Sequence, residues 1–206
     1  MQREHTLMPQ PKMQTKPLLS TIFWWLGLVS FLASTFYPSD LRGYTSEIGI
    51  SKAPEAVFIT EHYGRYLNTV LQIGLPILLR DKAGMIELVK VAVATTVATH
   101  FLKHALNNVD IMGTRLGQRP FSPTSSLNMP SGHSSMASCG AYFVSRRYGW
   151  KLAFLVVPVM LLTMFARVSL DQHTISAVIS GALVGILVTA IFTTSYRKRS
   201  PDSEVA

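Results

Sequence analysis

Charge is scarce in this chain. Asp, Glu, Lys and Arg make up 15% of its 206 residues, whereas a water-facing domain carries roughly 25%. That shortage excludes an ordinary soluble domain, because the few charges fall in clusters between long apolar runs. Cysteine is almost missing: Cys139 is the only one. It has no partner within the chain, so it reads as a small core residue and carries no redox information. There is no His-Glu-x-x-His, no Cys cluster and no group of carboxylates suited to two divalent ions, so the expected chemistry needs no metal and no other cofactor. No basic stripe interleaved with aromatics runs through a polar segment. The net charge of +8 therefore does not point to nucleic acid.

What the chain has is apolar length. Hydrophobic residues form 48% of it and the mean hydropathy is +0.28. Runs long enough to cross a bilayer lie near 18–37, 62–79, 84–106, 132–145, 151–168 and 174–195. The expected fold is all-α, a polytopic integral membrane bundle of six transmembrane helices over 18–195, flanked by polar tails at 1–17 and 196–206. Arg3, Lys12 and Lys16 before the first run resemble a signal peptide. The stretch from Leu18 to Tyr37 is long enough to span and lacks a small-x-small cleavage site, so it reads as a retained helix. Pro76 and Pro158 fall inside runs, which membrane helices tolerate where neighbours satisfy the freed carbonyls.

Six spans put the N-terminus, the 80–83 turn, the 146–151 turn and the C-terminus on one side. That side holds Arg3, Lys12, Lys16, Arg80, Lys82, Arg146, Arg147, Lys151, Arg197, Lys198 and Arg199, eleven of the nineteen basic residues. The positive-inside rule makes it cytoplasmic. The segment 38–61 on the opposite side is acidic on balance, with Asp40, Glu47, Glu55 and Glu61 against Arg42 and Lys52. The basic residues that remain outside, chiefly Lys103, Arg115, Arg119 and Arg167, need a reason, since charge near lipid is costly unless it pairs or functions.

Three patches on that outer side share one chemistry. Lys103 ends the third span and Arg119–Pro120 follows in the loop; Pro130–Ser131–Gly132–His133 opens the fourth span; Arg167 is followed by His173 before the sixth. Lysine and two arginines offer charge and forked donors that match phosphate oxygens. Ser131, Gly132 and His133 stand at a helix start, where free N–H groups and the positive dipole end attract anions, and Gly132 removes the Cβ that would bar close approach. Of two histidines, one can attack phosphorus while the other protonates the departing oxygen, with the cations offsetting charge on the equatorial oxygens.

These motifs resemble the type 2 phosphatidic acid phosphatase (PAP2) superfamily, whose pattern is Lys-x6-Arg-Pro, Pro-Ser-Gly-His and Ser-Arg-x5-His-x3-Asp in that order. The likeness runs through the second half of the chain from about residue 100. It implies a lipid phosphate phosphatase with His173 as nucleophile, forming a phosphohistidine, and His133 as general acid. Lys103, Arg119, Ser131, Gly132 and Arg167 would hold the phosphate. It also implies a multi-pass protein of a bacterial inner membrane, with its site facing the periplasm and both termini cytoplasmic. Small bacterial members act on lipid A, undecaprenyl diphosphate or phosphatidylglycerophosphate, and the stretch from Lys103 to His133 is most similar to the lipid A phosphatase branch. The expected partners are a phospholipid or glycolipid phosphate substrate and membrane lipids.

The chain departs from the pattern in three places. Met112 stands where the first-motif lysine belongs, so either Lys103 keeps that role across an insertion around Asp110–Gln118, or Arg115 takes it. Ala166 replaces the serine before Arg167. Ala177 replaces the aspartate that orients the nucleophile, a loss that can cost orders of magnitude; Asp171, two residues before His173, is the candidate substitute. A phosphotransferase using the same phosphohistidine, and a weakened lipid-binding protein, are the competing functions. Elsewhere His100 and His104 read as interface or packing residues, Glu87 and Lys90 as an ion pair on one helix face, and Gly181 and Gly185 as a close-packing stripe. This reading predicts that chelator leaves activity unchanged; strict dependence on an added divalent ion would contradict it.

Overall fold

A computed structural model describes residues 18–42 and 54–196 of the chain. The expected tail at 1–17, all of the expected tail at 196–206 except Tyr196, the central part of the first outer segment at 43–53, and the charges they carry lie outside the described residues. Within them the protein is a helical bundle: α1 (Leu18–Thr35), α2 (Glu55–His62), α3 (Leu67–Leu78), α4 (Lys82–Leu106), α5 (Gly132–Tyr148), α6 (Ala153–Ser169) and α7 (Ile175–Phe192). A two-stranded hairpin, β1 (Asp110–Ile111) and β2 (Thr114–Arg115), fills part of the loop between α4 and α5.

Three helical stretches are long and apolar enough to cross a membrane: Lys82–Leu106, Trp150–Ser169 and Ile175–Phe192. The run read as one span over 62–79 is broken. It starts at His62, the last residue of α2, passes through a 3₁₀ turn at Gly64–Tyr66 and is α-helical only over α3. Large apolar side chains face outward along the bundle, Trp25, Leu78, Phe101 and Phe154 among them, an inside-out pattern suited to lipid.

Local chemistry sets the ends. Asp81 caps α4, its carboxylate accepting the Gly84 N–H at 2.9 Å. Ser131 caps α5 and Thr174 caps α7, each hydroxyl accepting an N–H three residues on. Gly149, at φ 125°, ends α5 in a conformation that glycine adopts freely.

α5 runs through the middle of the bundle. Its Ser134, Ser135, Ala137, Ser138, Cys139, Gly140 and Ala141 are all buried, so small residues there let neighbours come close. The closest is α7: a Cβ at Gly181 would collide with the Ser131 carbonyl, and one at Gly185 with the Ser135 carbonyl and the Ser138 hydroxyl. The stripe of small residues therefore packs within the bundle. α3 is tied in by the fully buried Asn68, whose amide donates to the Ala137 and Val156 carbonyls at 3.0 and 2.9 Å. α1 leans on α7 through a 2.8 Å hydrogen bond between the Thr35 and Ser180 hydroxyls.

One end of the bundle is closed by a charge network. Arg147 grips Asp81 with two parallel N–H donors at 2.6 and 2.7 Å, and reaches Glu87 at 2.8 Å and Thr194 at 3.1 Å. Tyr148 adds its hydroxyl to Asp81 at 2.9 Å. The Glu87–Lys90 pair expected from spacing is thus superseded: Glu87 turns inward to Arg147 and Thr194, because a buried guanidinium needs every carboxylate within reach. The Arg147 hydrogen bond holds the Asp81 carboxyl below its ordinary value against the opposing effect of burial. That stabilisation is present at neutral pH and fades as pH falls through the depressed value. Arg147→Ala should cost about 3–5 kcal/mol, since it strands Asp81 without its counter-charge; thermal unfolding in detergent measures it, and an unchanged midpoint would contradict the network's role.

Candidate active site

The opposite end of the bundle gathers the cations. A cavity of about 780 Å³ between α3, α4 and α5 is lined by Lys103, Arg119, Gly132, His133, Arg167 and His173. Five sequence elements far apart in the chain supply them: the last turn of α4, the α4–α5 loop, the start of α5, the end of α6 and the turn before α7. The cavity continues along the bundle past Thr99, Thr95, Gln72 and Cys139, with His100 also in its lining.

The two expected imidazoles sit differently. His173 is 3% exposed. Its Nδ1 faces the Asn128 backbone carbonyl at 2.9 Å and the Asn128 side-chain oxygen at 3.2 Å. Both are acceptors, so Nδ1 carries the ring proton and Nε2 keeps its lone pair. Asn128 is itself locked: its side-chain oxygen accepts the Thr174 N–H, its amide donates to the Thr174 hydroxyl, and its own N–H donates to the Gly117 carbonyl. The ring nitrogen that an orienting carboxylate would hold is therefore held by Asn128. Burial, and then the charges of Lys103, Arg167 and Arg119, push the His173 pKa well below 6.5, outweighing the Asn128 carbonyl. The ring is neutral at physiological pH.

Ala177, where the family pattern has aspartate, is fully buried against Leu116 and Met129, and its carbonyl accepts the Ser131 N–H at 2.9 Å. A carboxylate there would enter an apolar cluster. Asp171 lies at a left-handed turn, φ 52°, and lines, with His173, a second, largely apolar cavity of about 690 Å³ beside α1. Its N–H donates to the Val168 carbonyl at 3.0 Å.

The cations are fixed by oxygen atoms. Lys103 Nζ donates to the Leu127 carbonyl at 2.6 Å, and its Cε lies 3.6 Å from where a Cβ on Gly132 would stand. Arg119 donates from Nε to the Ser126 carbonyl at 2.9 Å. Gln172 Oε1 stands between Arg119 at 3.5 Å and Arg167 at 3.4 Å. Arg115 is elsewhere: it donates to the carbonyls of Asn107, Pro123 and Ser125, bracing the loop. Of the two first-motif alternatives, Lys103 is the one in the cavity, and the insertion around Asp110–Gln118 is the hairpin. Ser131 is fully buried, its hydroxyl accepting from the Ser134 N–H and hydroxyl; the cavity wall begins at Gly132.

Sequence reasoning missed Asn128 and Gln172, which carry no motif, and also the pair Glu61–Arg65. One Glu61 oxygen accepts from Arg65 and Arg167, each at 2.6 Å. Arg65 also reaches His133 Nε2 at 3.0 Å. The four-residue spacing of Glu61 and Arg65 before an apolar run was the available signal.

The profile of the PAP2 superfamily matches residues 85–201. The chain belongs to the PAP2 superfamily. Two lipid A 1-phosphatases of Helicobacter pylori, from strains 26695 and J99, are each 44% identical over 140 residues, 68% of this chain and 73% or 72% of theirs. A lipid A 4'-phosphatase of strain J99 is 34% identical over 149 residues, 70% of this chain and 75% of its own. No solved structure matches. This PAP2 protein is a phosphatase, a hydrolase of phosphoric esters. The PAP2 match takes in every residue of the cavity's cationic rim and leaves Glu61 and Arg65 outside it.

Because burial and the neighbouring cations hold the His173 pKa well below 6.5, kcat/KM corrected for titration of the substrate phosphate should hold steady as pH falls through 6.5. A pH–rate profile tests this, and an acid limb centred at an ordinary histidine value would contradict it.

Proposed function

We propose that this protein is a metal-independent lipid phosphatase acting through a phosphohistidine on His173, with a lipid A-type glycolipid phosphate as substrate. The observation that carries the reading is the single cavity in which a neutral imidazole, a second imidazole and three cations meet. Histidine, lysine and arginine form a donor set that attracts a phosphate dianion and repels a metal cation. The substrate class rests on the lipid A phosphatases of Helicobacter pylori that this chain is similar to, and on the apolar cavity walls beyond the phosphate rim.

The chemistry follows from the geometry. Lys103, Arg119 and Arg167 take the non-bridging oxygens, helped by the N–H groups at the start of α5. The Nε2 lone pair of His173 attacks phosphorus as the bond to the lipid oxygen breaks, and that oxygen takes a proton from His133. Water then attacks phosphorus and gives its proton to His133, while the electron pair of the P–N bond returns to Nε2. Asn128 keeps the Nδ1 proton in place throughout and spreads the charge that develops on the ring, the task of an orienting carboxylate elsewhere. In this reading Asp171 sits in the turn that carries His173, and Ser131 serves the site by capping α5.

Six crossings are part of the same reading: α1, the broken α2–α3 rod, α4, α5, α6 and α7. Arg80, Lys82, Arg146, Arg147 and Lys151 collect at the end away from the cavity, which favours a cytoplasmic location for that end and a periplasmic one for the site in a bacterial inner membrane.

Acid-labile, alkali-stable label should pass from a radiolabelled lipid phosphate to the wild-type chain during turnover. His173→Ala should take up none and retain under about a thousandth of the activity. Equal labelling of the His173→Ala protein would overturn the mechanism.

A further inference from the structure

Arg65 is held by more contacts than a lipid-facing anchor needs. Its Nη1 donates to Glu61 at 2.6 Å, its Nη2 to the Tyr66 hydroxyl at 2.6 Å, and its guanidinium lies over the Tyr66 ring at 4.8 Å. Glu61 is fixed in turn by Arg167, which donates to the same carboxylate oxygen at 2.6 Å. The other hydrogen of Nη1 is aimed at His133 Nε2, 3.0 Å away. A guanidinium can only donate, so Nε2 is the acceptor and the ring proton of His133 is on Nδ1. His133 lines the cavity beside His173.

We propose that Arg65, clamped by Glu61, is a positioning residue for His133: it fixes the tautomer and polarises the neutral ring so that Nδ1–H is the proton donor to the leaving oxygen. This rests on His133 being the general acid. A neutral imidazole is a weak acid by itself, but it can serve as electrophile and donor where its surroundings favour that form. A charge-assisted N–H on Nε2 does so here, because negative charge that develops on the ring as Nδ1–H departs falls directly on Arg65. The proton leaves Nδ1 for the lipid oxygen in the first step and returns to Nδ1 from water in the second, so the ring ends as it began. Lys103, Arg119 and Arg167 add to the field around the ring. Of these charges only Arg65 is within hydrogen-bonding distance of it. Arg65 and Glu61 lie before the segment that matches the family profile, on the broken α2–α3 rod. The break at Gly64–Tyr66 turns the Arg65 side chain toward α5.

The test uses leaving groups. An alkyl or sugar alkoxide needs a proton to depart, whereas the phenolate of an activated aryl phosphate does not. Arg65→Gln should lower kcat on the lipid phosphate by about 100-fold while lowering it by less than about threefold on a lipophilic aryl phosphate that the wild-type enzyme hydrolyses. Arg65→Lys should recover part of the loss, since it retains a charged donor. His133→Ala supplies the reference. If it too loses activity selectively on the lipid, His133 is the acid, and an equal loss on both substrates by Arg65→Gln, or none, would overturn the role of Arg65 alone. Equal loss on both substrates by His133→Ala would overturn the acid assignment itself. Should Arg65→Gln fail to fold in detergent, the same ratio measured on Arg65→Lys, which keeps the pair with Glu61, decides: a selective loss supports the role, and an equal loss or none overturns it.

Discussion

The close approach of α7 to α5 sets the geometry of everything at the cationic end. Gly181 and Gly185 admit the backbone of α5 to within contact of α7, and the Ser131 N–H bonds to the Ala177 carbonyl at 2.9 Å where the two helices begin. His133 is the second residue of α5, and His173 precedes the α7 cap by one. A rigid junction between the two helix starts is therefore a rigid junction between the two imidazoles. Bulk at either glycine would collide with the α5 backbone and push the two helix starts, and with them the two imidazoles, apart.

The same junction explains the missing aspartate. Position 177 is buried against Leu116 and Met129, and its backbone is already committed to Ser131. A carboxylate in that apolar contact would pay for desolvation without a partner. Asn128, which follows the hairpin in the same loop, brings two oxygens to His173 Nδ1 instead. The segment between Lys103 and His133 thus supports the His173 ring. Leu127, strained at φ 60°, turns its carbonyl to Lys103 from the same loop.

Electrostatics at the two ends are opposites. At the Arg147 end one guanidinium is matched by two carboxylates and shielded from water. At the cavity end Glu61 pairs with Arg65 and Arg167, while Lys103 and Arg119 donate to the backbone carbonyls of Leu127 and Ser126. In the proposed function the mutual repulsion of these cations would be relieved by a phosphate dianion, so binding energy would come from charge already assembled in the cavity.

Much of this was legible because motifs are local. The Pro130–His133 and Arg167–His173 runs carry their chemistry in adjacent residues, and apolar length marked α1, α4, α6 and α7 within a few positions. α5 was hard to read since its serines and alanines face protein on all sides, which frees it from the need to be apolar. The sequence over 62–79 looks unbroken because Gly64 alone is a weak break signal. Spacing points Glu87 to Lys90, while its partner Arg147 lies sixty residues away. Asn128, Gln172 and the Arg65–His133 contact were invisible for the same reason: each is a tertiary pairing between residues with no shared motif.

The most direct test of the account is a crystal structure with orthovanadate, which imitates the five-coordinate phosphorus. Vanadium bonded to His173 Nε2, with oxygens on Lys103, Arg119 and Arg167 and the apical oxygen facing His133, is the predicted result. Vanadium bonded to His133, or bound away from the cavity shared by the two imidazoles, would contradict it.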